Sequence, residues 1–216
     1  MQSLRGKFAK QKFIKEYIDV KVLTYTVLLN GYKRFNQCGG ELVDKYYQFS
    51  AVHKDTGRKE IFYLGYDCGQ QLLKLLNIPI DSIKLFNPFK QTINDGLSAM
   101  SDKSSNIPKD RQSQQTTLAN ELFDIINIMY VGLNLRDTHI LDNIIMRLRE
   151  NIGENPPASN FASVNTILNK YGTISEILER LQKNNRPFKT FNFSQSRAYL
   201  KEYLIKNNKE NQNINF

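Results

Sequence analysis

An α+β fold is predicted, with an N-terminal β-hairpin or small antiparallel sheet carrying a helix, followed by a C-terminal helical bundle. Three features of the 216-residue chain carry this expectation. Residues 17–29 read YIDVKVLTYTVLL, where Ile18, Val20 and Val22 alternate with Asp19 and Lys21 in the period of two expected of a half-buried strand. Two further strand-like runs flank the turn-forming stretch KDTGRK. Beyond about residue 116 the apolar residues recur at intervals of three and four, the period of helices packed on one face.

In chain order, the first strand is followed by strands at residues 46–53 (YYQFSAVH) and 60–64 (EIFYL), with Asp55, Thr56 and Gly57 supplying the turn. Asp67 is placed to cap a short helix, GQQLLKLLN, whose Leu72, Leu73, Leu75 and Leu76 form an apolar face ahead of Pro79. Residues 1–86 thus read as one β-rich module. Residues 87–115 hold Pro88, Gly96, Pro108 and the polar run SDKSSNIPKDRQSQQ, which has the composition of an interdomain linker and is the expected site of first proteolytic cleavage.

Residues 116–208 read as the helical domain. Leu118, Leu122, Ile125, Ile126 and Met129 define its first helix, and Asp137 opens a second through Ile140, Leu141, Ile144, Ile145 and Leu148. Pro156-Pro157 breaks the pattern, and a third helix follows through Val164, Ile167 and Leu168. Thr173 and Glu176 have the spacing of a capping box, which starts a fourth helix, and a last one runs from Ser194. Residues 209–216 read as a frayed tail.

The charge is +9, from 30 Lys and Arg against 21 Asp and Glu, a balance that suits phosphates or anionic surfaces. The excess concentrates at the ends. Arg5, Lys7, Lys10, Lys12 and Lys15 precede the first acidic residue, Glu16, and Arg186, Lys189 and Arg197 lie in a C-terminal stretch poor in acids. Such runs also occur as ordinary solvated surface. In the β-rich module, Lys33, Arg34, Lys45, Lys54, Arg58 and Lys59 interleave with Tyr46, Tyr47, Phe49, Phe62, Tyr63 and Tyr66. Rings among cations can stack bases and hold phosphates, which singles out Tyr47 and Tyr63, although strand alternation sends about half of such rings into a core.

No run of about 18 apolar residues occurs and residues 1–13 lack an apolar signal region, so neither membrane insertion nor export is expected. Two cysteines, Cys38 and Cys68, fall short of a disulfide framework and fit a reducing cytoplasm, where they read as small hydrophobes. There is no paired-histidine metal motif, phosphate-cradling loop or nucleophile elbow, and His53 and His139 stand alone. No enzyme activity and no cofactor are expected.

Gln37-Cys38-Gly39-Gly40, the hairpin after it, and Leu64-Gly65-Tyr66-Asp67-Cys68-Gly69 together resemble the zinc-ribbon-like modules of small phage and plasmid proteins, over about residues 35–76. In those modules two glycine-rich knuckles flank a strand pair and carry four ligands. Here Phe35 stands where the first knuckle cysteine belongs, and Cys38, Cys68 and His53 supply three ligands at most, so a metal-free version is expected. The stretch SVNTILNKYGTISEIL resembles part of the helix-hairpin-helix proteins, including the flap and 5′-nucleases. Its expected clasp, Gly153-Glu154-Asn155-Pro156-Pro157, lacks their glycine hairpin.

Taken together, these features lead us to expect a nucleic-acid-binding accessory protein of a phage or other mobile element, with RNA or single-stranded DNA ahead of duplex. The alternative is an inhibitor or adaptor that docks on a host protein or ribonucleoprotein, such as a CRISPR effector, with RNA as part of the interface. A nuclease is a third reading, resting on the helix-hairpin-helix resemblance alone.

Overall fold

A computed structural model describes residues 2–89, 115–135 and 138–216. The chain divides into two units, Met1–Asn87 and Pro88–Phe216. It is an α+β protein, with a four-stranded sheet in the first unit and helices throughout the second.

The first unit runs α1 (Gly6–Glu16), β1 (Tyr17–Val27), β2 (Lys45–His53), β3 (Lys59–Gly65), α2 (Tyr66–Leu75), a single 3-10 turn (Ile80–Ser82) and β4 (Leu85–Phe86). The strand order is β3-β2-β1-β4. β1–β2 and β2–β3 are antiparallel, and Gly57, at φ +64°, sits in the β2–β3 turn where a side chain would be strained. The short β4 adds a parallel edge to β1, absent from the expected antiparallel sheet. Two residues are too few for periodicity to register. β1 itself carries irregularities near Ile18 and Val22, and Asp19 takes a left-handed conformation at φ 52°.

One face of the sheet carries the core of this unit. Val22 and Tyr25 of β1, Tyr47, Phe49 and Ala51 of β2, and Phe62 and Leu64 of β3 pack with Leu72 and Leu73 of α2 and Phe13 of α1. Rings stack in pairs: Tyr25 on Tyr47 at 4.2 Å and Phe49 on Phe62 at 5.3 Å between centroids. A Cβ added to Gly69 would lie 2.2 Å from Tyr47 Cδ2, so the glycine lets α2 settle on that ring.

Two local expectations need correction. The N-terminal basic segment is not an arm outside the core but the helix α1, because Phe13 and Ile14 recur with Lys10 on one side and bury it. The residue flanking α2 is Gly65 and not Asp67, which is the second residue of the helix and complements its N-terminal dipole from an exposed position.

The second unit runs α3 (Thr117–Gly132), α4 (His139–Glu150), α5 (Ala158–Leu168), α6 (Ile174–Gln182) and α7 (Ser194–Lys206). α3 is buried almost all round and packs against α4, α6 and α7. Thr116 Oγ1 caps α3 by accepting from Ala119 N, and Thr173 with Glu176 forms the capping box of α6. Between α5 and α6, Gly172 at φ +104° turns the chain, its N–H donating to the Leu168 carbonyl at 2.9 Å.

Residues 209–216, expected to fray, are held against this unit. Ile174 N donates to the Asn215 carbonyl (2.9 Å), Asn215 N donates to Asn165 Oδ1 (2.8 Å), and the Phe216 ring is buried near Phe161. The polar composition of the tail conceals asparagine partners that exist only in the fold. Most of the expected linker, residues 90–114, lies outside the described residues, as does Asp137. Among the described residues no helix is long and apolar enough to cross a membrane.

Candidate nucleic-acid interface

The candidate residues separate into groups once each is placed. At 100° per residue, Phe8, Lys12 and Lys15 fall within about 60° on the outer side of α1. Phe8 is 81% exposed, an unusual position for a phenylalanine that nothing covers. Lys7 and Arg5 are exposed nearby in the chain, and Lys12 lies 3.7 Å from Glu16 in a solvent-exposed pair. The hairpin end adds to this side: Lys54 N donates to the Glu16 carbonyl and Lys54 Nζ to the Lys15 carbonyl. Arg58, at the same end of the hairpin, is also exposed. Lys33 is exposed on the β1–β2 connection.

Lys10 does not belong to this set. It is 0% exposed; its Nζ donates to the Leu4 carbonyl (3.0 Å) and to Gln71 Oε1 (3.2 Å). It faces inward because Lys10, Phe13 and Ile14 share one side of the helix. Burial pulls its ammonium below the ordinary lysine value.

Tyr47 is not a stacking platform either. It is 1% exposed, and burial, with the nearby Tyr66, raises its phenol well above the usual value. Strand alternation with Phe49 and Ala51 puts it on the core face. Tyr63, on the opposite face, is half-buried. The Arg34 guanidinium lies 5.4 Å over its ring and 5.7 Å over Tyr32, while Tyr46 meets it edge-on at 5.9 Å. Burial pushes Tyr46 up to about 12, against the opposing pull of Arg34. Lys45 and Lys59 are half-buried.

The C-terminal cations are drawn into the fold of the second unit. Arg186 lies 4.4 Å over the Phe89 ring, Lys189 pairs with Asp124 at 3.3 Å, and Arg197 Nε donates to the Phe216 carbonyl at 2.8 Å. Lys189 and Arg186 flank Phe188, which bridges to Phe89. Arg186 and Arg197 remain exposed and Lys189 is half-buried, so these contacts compete with phosphate binding without closing the cations off from solvent.

The weak metal candidates do not converge. Cys38 and Cys68 are joined in a disulfide, with Cα atoms 6.8 Å apart, which corrects their reading as separate small hydrophobes. His53 meets the Tyr17 ring edge-on at 4.9 Å, and its Nδ1 accepts from Asp55 N. The β2–β3 ladder runs from Tyr46 opposite Gly65 to Val52 opposite Lys59, which separates His53 from the Cys68 end by about 20 Å. Among the described residues no group of three His, Cys, Asp or Glu is placed to hold a metal ion.

Beside Phe8 opens a groove of about 620 Å³, lined by Gln2, Phe8, Lys12, Phe13, Tyr17 and Glu60 among others, with His53 and Glu16 at its edge. Phe13 stacks on Tyr17 at 4.5 Å beneath the groove, but both rings are buried, which leaves Phe8 as the ring open to a ligand. Burial raises the Tyr17 phenol, as does its hydrogen bond to the Glu60 carboxylate. The groove therefore offers the Phe8 ring, carboxylate and amide acceptors, and the Lys12 ammonium. Sequence reading missed Phe8, Tyr17 and Glu60; a helical projection of residues 6–16 would have separated Phe8 from Phe13 and revealed Lys10 on the inner side.

No family model matches the chain, and neither a curated protein nor a solved structure matches it.

Proposed function

We propose that the protein binds single-stranded nucleic acid, RNA or DNA, along the outer side of α1, as a non-catalytic accessory protein. The observation that carries this reading is the exposed Phe8 ring at a groove that Lys12 also lines, with Lys15 exposed on the same side of α1. A base enters the groove and stacks on Phe8, its exocyclic amine donating to Glu60 or Glu16, while Lys12 and the neighbouring exposed cations neutralise the flanking phosphates. Carboxylates inside repel phosphate, which keeps the backbone at the rim. The first unit carries most of the net charge, +6 of +9, from 14 Lys and Arg against 8 Asp and Glu. The zinc-ribbon resemblance is the ground for placing the protein in a phage or mobile element.

Lys12 lines the groove, and Lys7, Lys15, Lys54 and Arg58 are exposed on α1 and the end of the hairpin; contact of all five with phosphates corresponds to a slope of log K against log salt of about −3.5 for a single strand. Fluorescence anisotropy with labelled single-stranded DNA, RNA and duplex across a salt series measures it. Changing Lys7, Lys12, Lys15 and Lys54 together to Gln should reduce the slope by about 2.8. Phe8→Ala should cost about 1–3 kcal/mol of affinity with the slope unchanged. Absence of salt-dependent binding at low ionic strength, or full affinity in Phe8→Ala, refutes the reading.

A second reading, an inhibitor or adaptor docking on a host protein or ribonucleoprotein such as a CRISPR effector, draws on Phe35 and Val43, 69% and 90% exposed on the loop around the glycine knuckle. Recovery of one host complex after nuclease treatment, lost in Phe35→Ser with Val43→Ser, would favour it.

A further inference from the structure

Lys10 and the two cysteines form a constellation that nucleic-acid binding does not use. Cys68 is the third residue of α2 and half-buried, while Cys38, on the glycine knuckle, is 7% exposed. Lys10 Nζ lies 3.7 Å from Cys68 Sγ, and the Leu4 carbonyl oxygen lies 3.3 Å from Cys38 Sγ. The two sulfurs therefore have opposite surroundings. Cys68 faces a buried ammonium and the N–H groups of a helix start, both of which favour a thiolate. Cys38 faces a carbonyl oxygen, which accepts from a thiol and disfavours a thiolate.

The ammonium completes the case. Among the described residues no carboxylate lies within ion-pairing distance of Lys10, whose acceptors are a backbone carbonyl and a neutral amide. A buried cation without a counter-ion is costly, and a thiolate at Cys68 supplies one. Asp67, one residue earlier, opposes a thiolate, but it is exposed and screened by solvent.

We propose that Cys38 and Cys68 are a reversible thiol–disulfide couple that exchanges with low-molecular-weight thiols and disulfides, with Cys68 the exchanging sulfur, Cys38 the resolving one, and Lys10 the positioning cation for the Cys68 thiolate. In reduction by a dithiol, its thiolate attacks the less buried Cys68 Sγ, the Cys38–Cys68 bond breaks, and Cys38 leaves with the electron pair and takes up a proton beside the Leu4 carbonyl. The second thiolate of the reagent then attacks its own sulfur in the mixed disulfide. Cys68 leaves as a thiolate against Lys10, and the reagent departs as a cyclic disulfide. Two electrons pass from dithiol to protein; of the two thiol protons, one ends on Cys38 and one in solvent. Oxidation by a disulfide is the reverse, with Cys68 attacking and Cys38 resolving.

The couple also sits beside the groove wall. Leu4 N donates to the Gln37 carbonyl (2.8 Å) and Gln37 Nε2 to the Gln2 carbonyl (2.9 Å), so the Cys38 loop holds residues that line the groove. The exchange chemistry stands whether or not nucleic acid binds there.

The full chain is equilibrated in mixtures of reduced and oxidised dithiothreitol, quenched in acid, alkylated and weighed intact. A single two-electron transition is expected. Lys10→Met should need at least tenfold more reduced reagent at the midpoint, about 30 mV for a two-electron couple. With glutathione disulfide, reduced Cys38→Ser should form its adduct at Cys68 at least tenfold faster than reduced Cys68→Ser forms one at Cys38. Unchanged midpoints in a Lys10→Met chain that folds by circular dichroism overturn the proposal. So does equal adduct formation at the two sulfurs, or an air-oxidised chain that retains two free thiols. If Lys10→Met does not fold, the adduct rates, measured in chains that keep Lys10, decide.

Discussion

Replacing Tyr47 with alanine tests the core of the first unit directly. The ring is buried, stacks on Tyr25 at 4.2 Å, lies 5.9 Å from Phe49, and closes on the backbone of Gly69. Emptying such a site costs about 3–5 kcal/mol, and the lost stack adds about 0.5–1.5. With a urea dependence of about 2 kcal/mol per molar, the midpoint of this unit should fall by roughly 2 M. Hydrogen exchange of peptides spanning residues 45–65, followed by mass spectrometry across urea, reads this unit apart from the helical one. Gly69→Ala alone should also destabilise, by about 1–3 kcal/mol, because its Cβ would meet the ring at 2.2 Å. In the Tyr47→Ala background the obstruction is gone, and the same change should be neutral or stabilising through the better helix propensity of alanine, by up to about 1 kcal/mol. Additive effects of the two substitutions, or a Tyr47→Ala protein with wild-type stability and lost binding, would refute the packing.

Other outcomes follow from the helical unit. Gly132→Ala should destabilise by about 1–3 kcal/mol in thermal or urea unfolding, since its Cβ would lie 2.5 Å from Ile177 Cγ2 and 3.2 Å from Leu181 Cδ1; a neutral result would mean that α6 stands off from α3. Tyr130→Phe removes a 2.7 Å hydrogen bond donated to the buried Asp142 and should cost about 1.5–3 kcal/mol, with unfolding midpoints as the readout. In the capping box, the Glu176 carboxylate accepts from Thr173 N, which holds it below the usual carboxylate range. A depressed value in the folded state stabilises above the unfolded carboxylate value, and that contribution is lost as pH falls through the folded one. Glu176→Gln should therefore flatten part of the acid limb of stability against pH, and an acid limb identical to wild type would remove the capping role.

Local chemistry was legible before the fold. The turn at Gly57, the capping box of Thr173 and Glu176, the apolar spacing of α3 and α5 and the start of α7 at Ser194 each depend on neighbours within a few residues, so their letters are enough. The net charge followed from composition for the same reason. Partnership across the chain was not legible. Only the tertiary structure decided that Lys10 turns inward to Gln71 and Cys68, that Cys38 meets Cys68 across a separation of 30 residues, and that Arg197 and Asn165 hold the last residues of the chain. It also decided which rings join the core against the helices: alternation shows that Tyr46 and Tyr47 point opposite ways, but only the packing of α1 and α2 puts Tyr47 in that core, while Tyr46 is buried on the other face. A lysine, a tyrosine and a phenylalanine each have a buried and an exposed use, and the free energy that selects between them comes from neighbours that the sequence brings close only after folding.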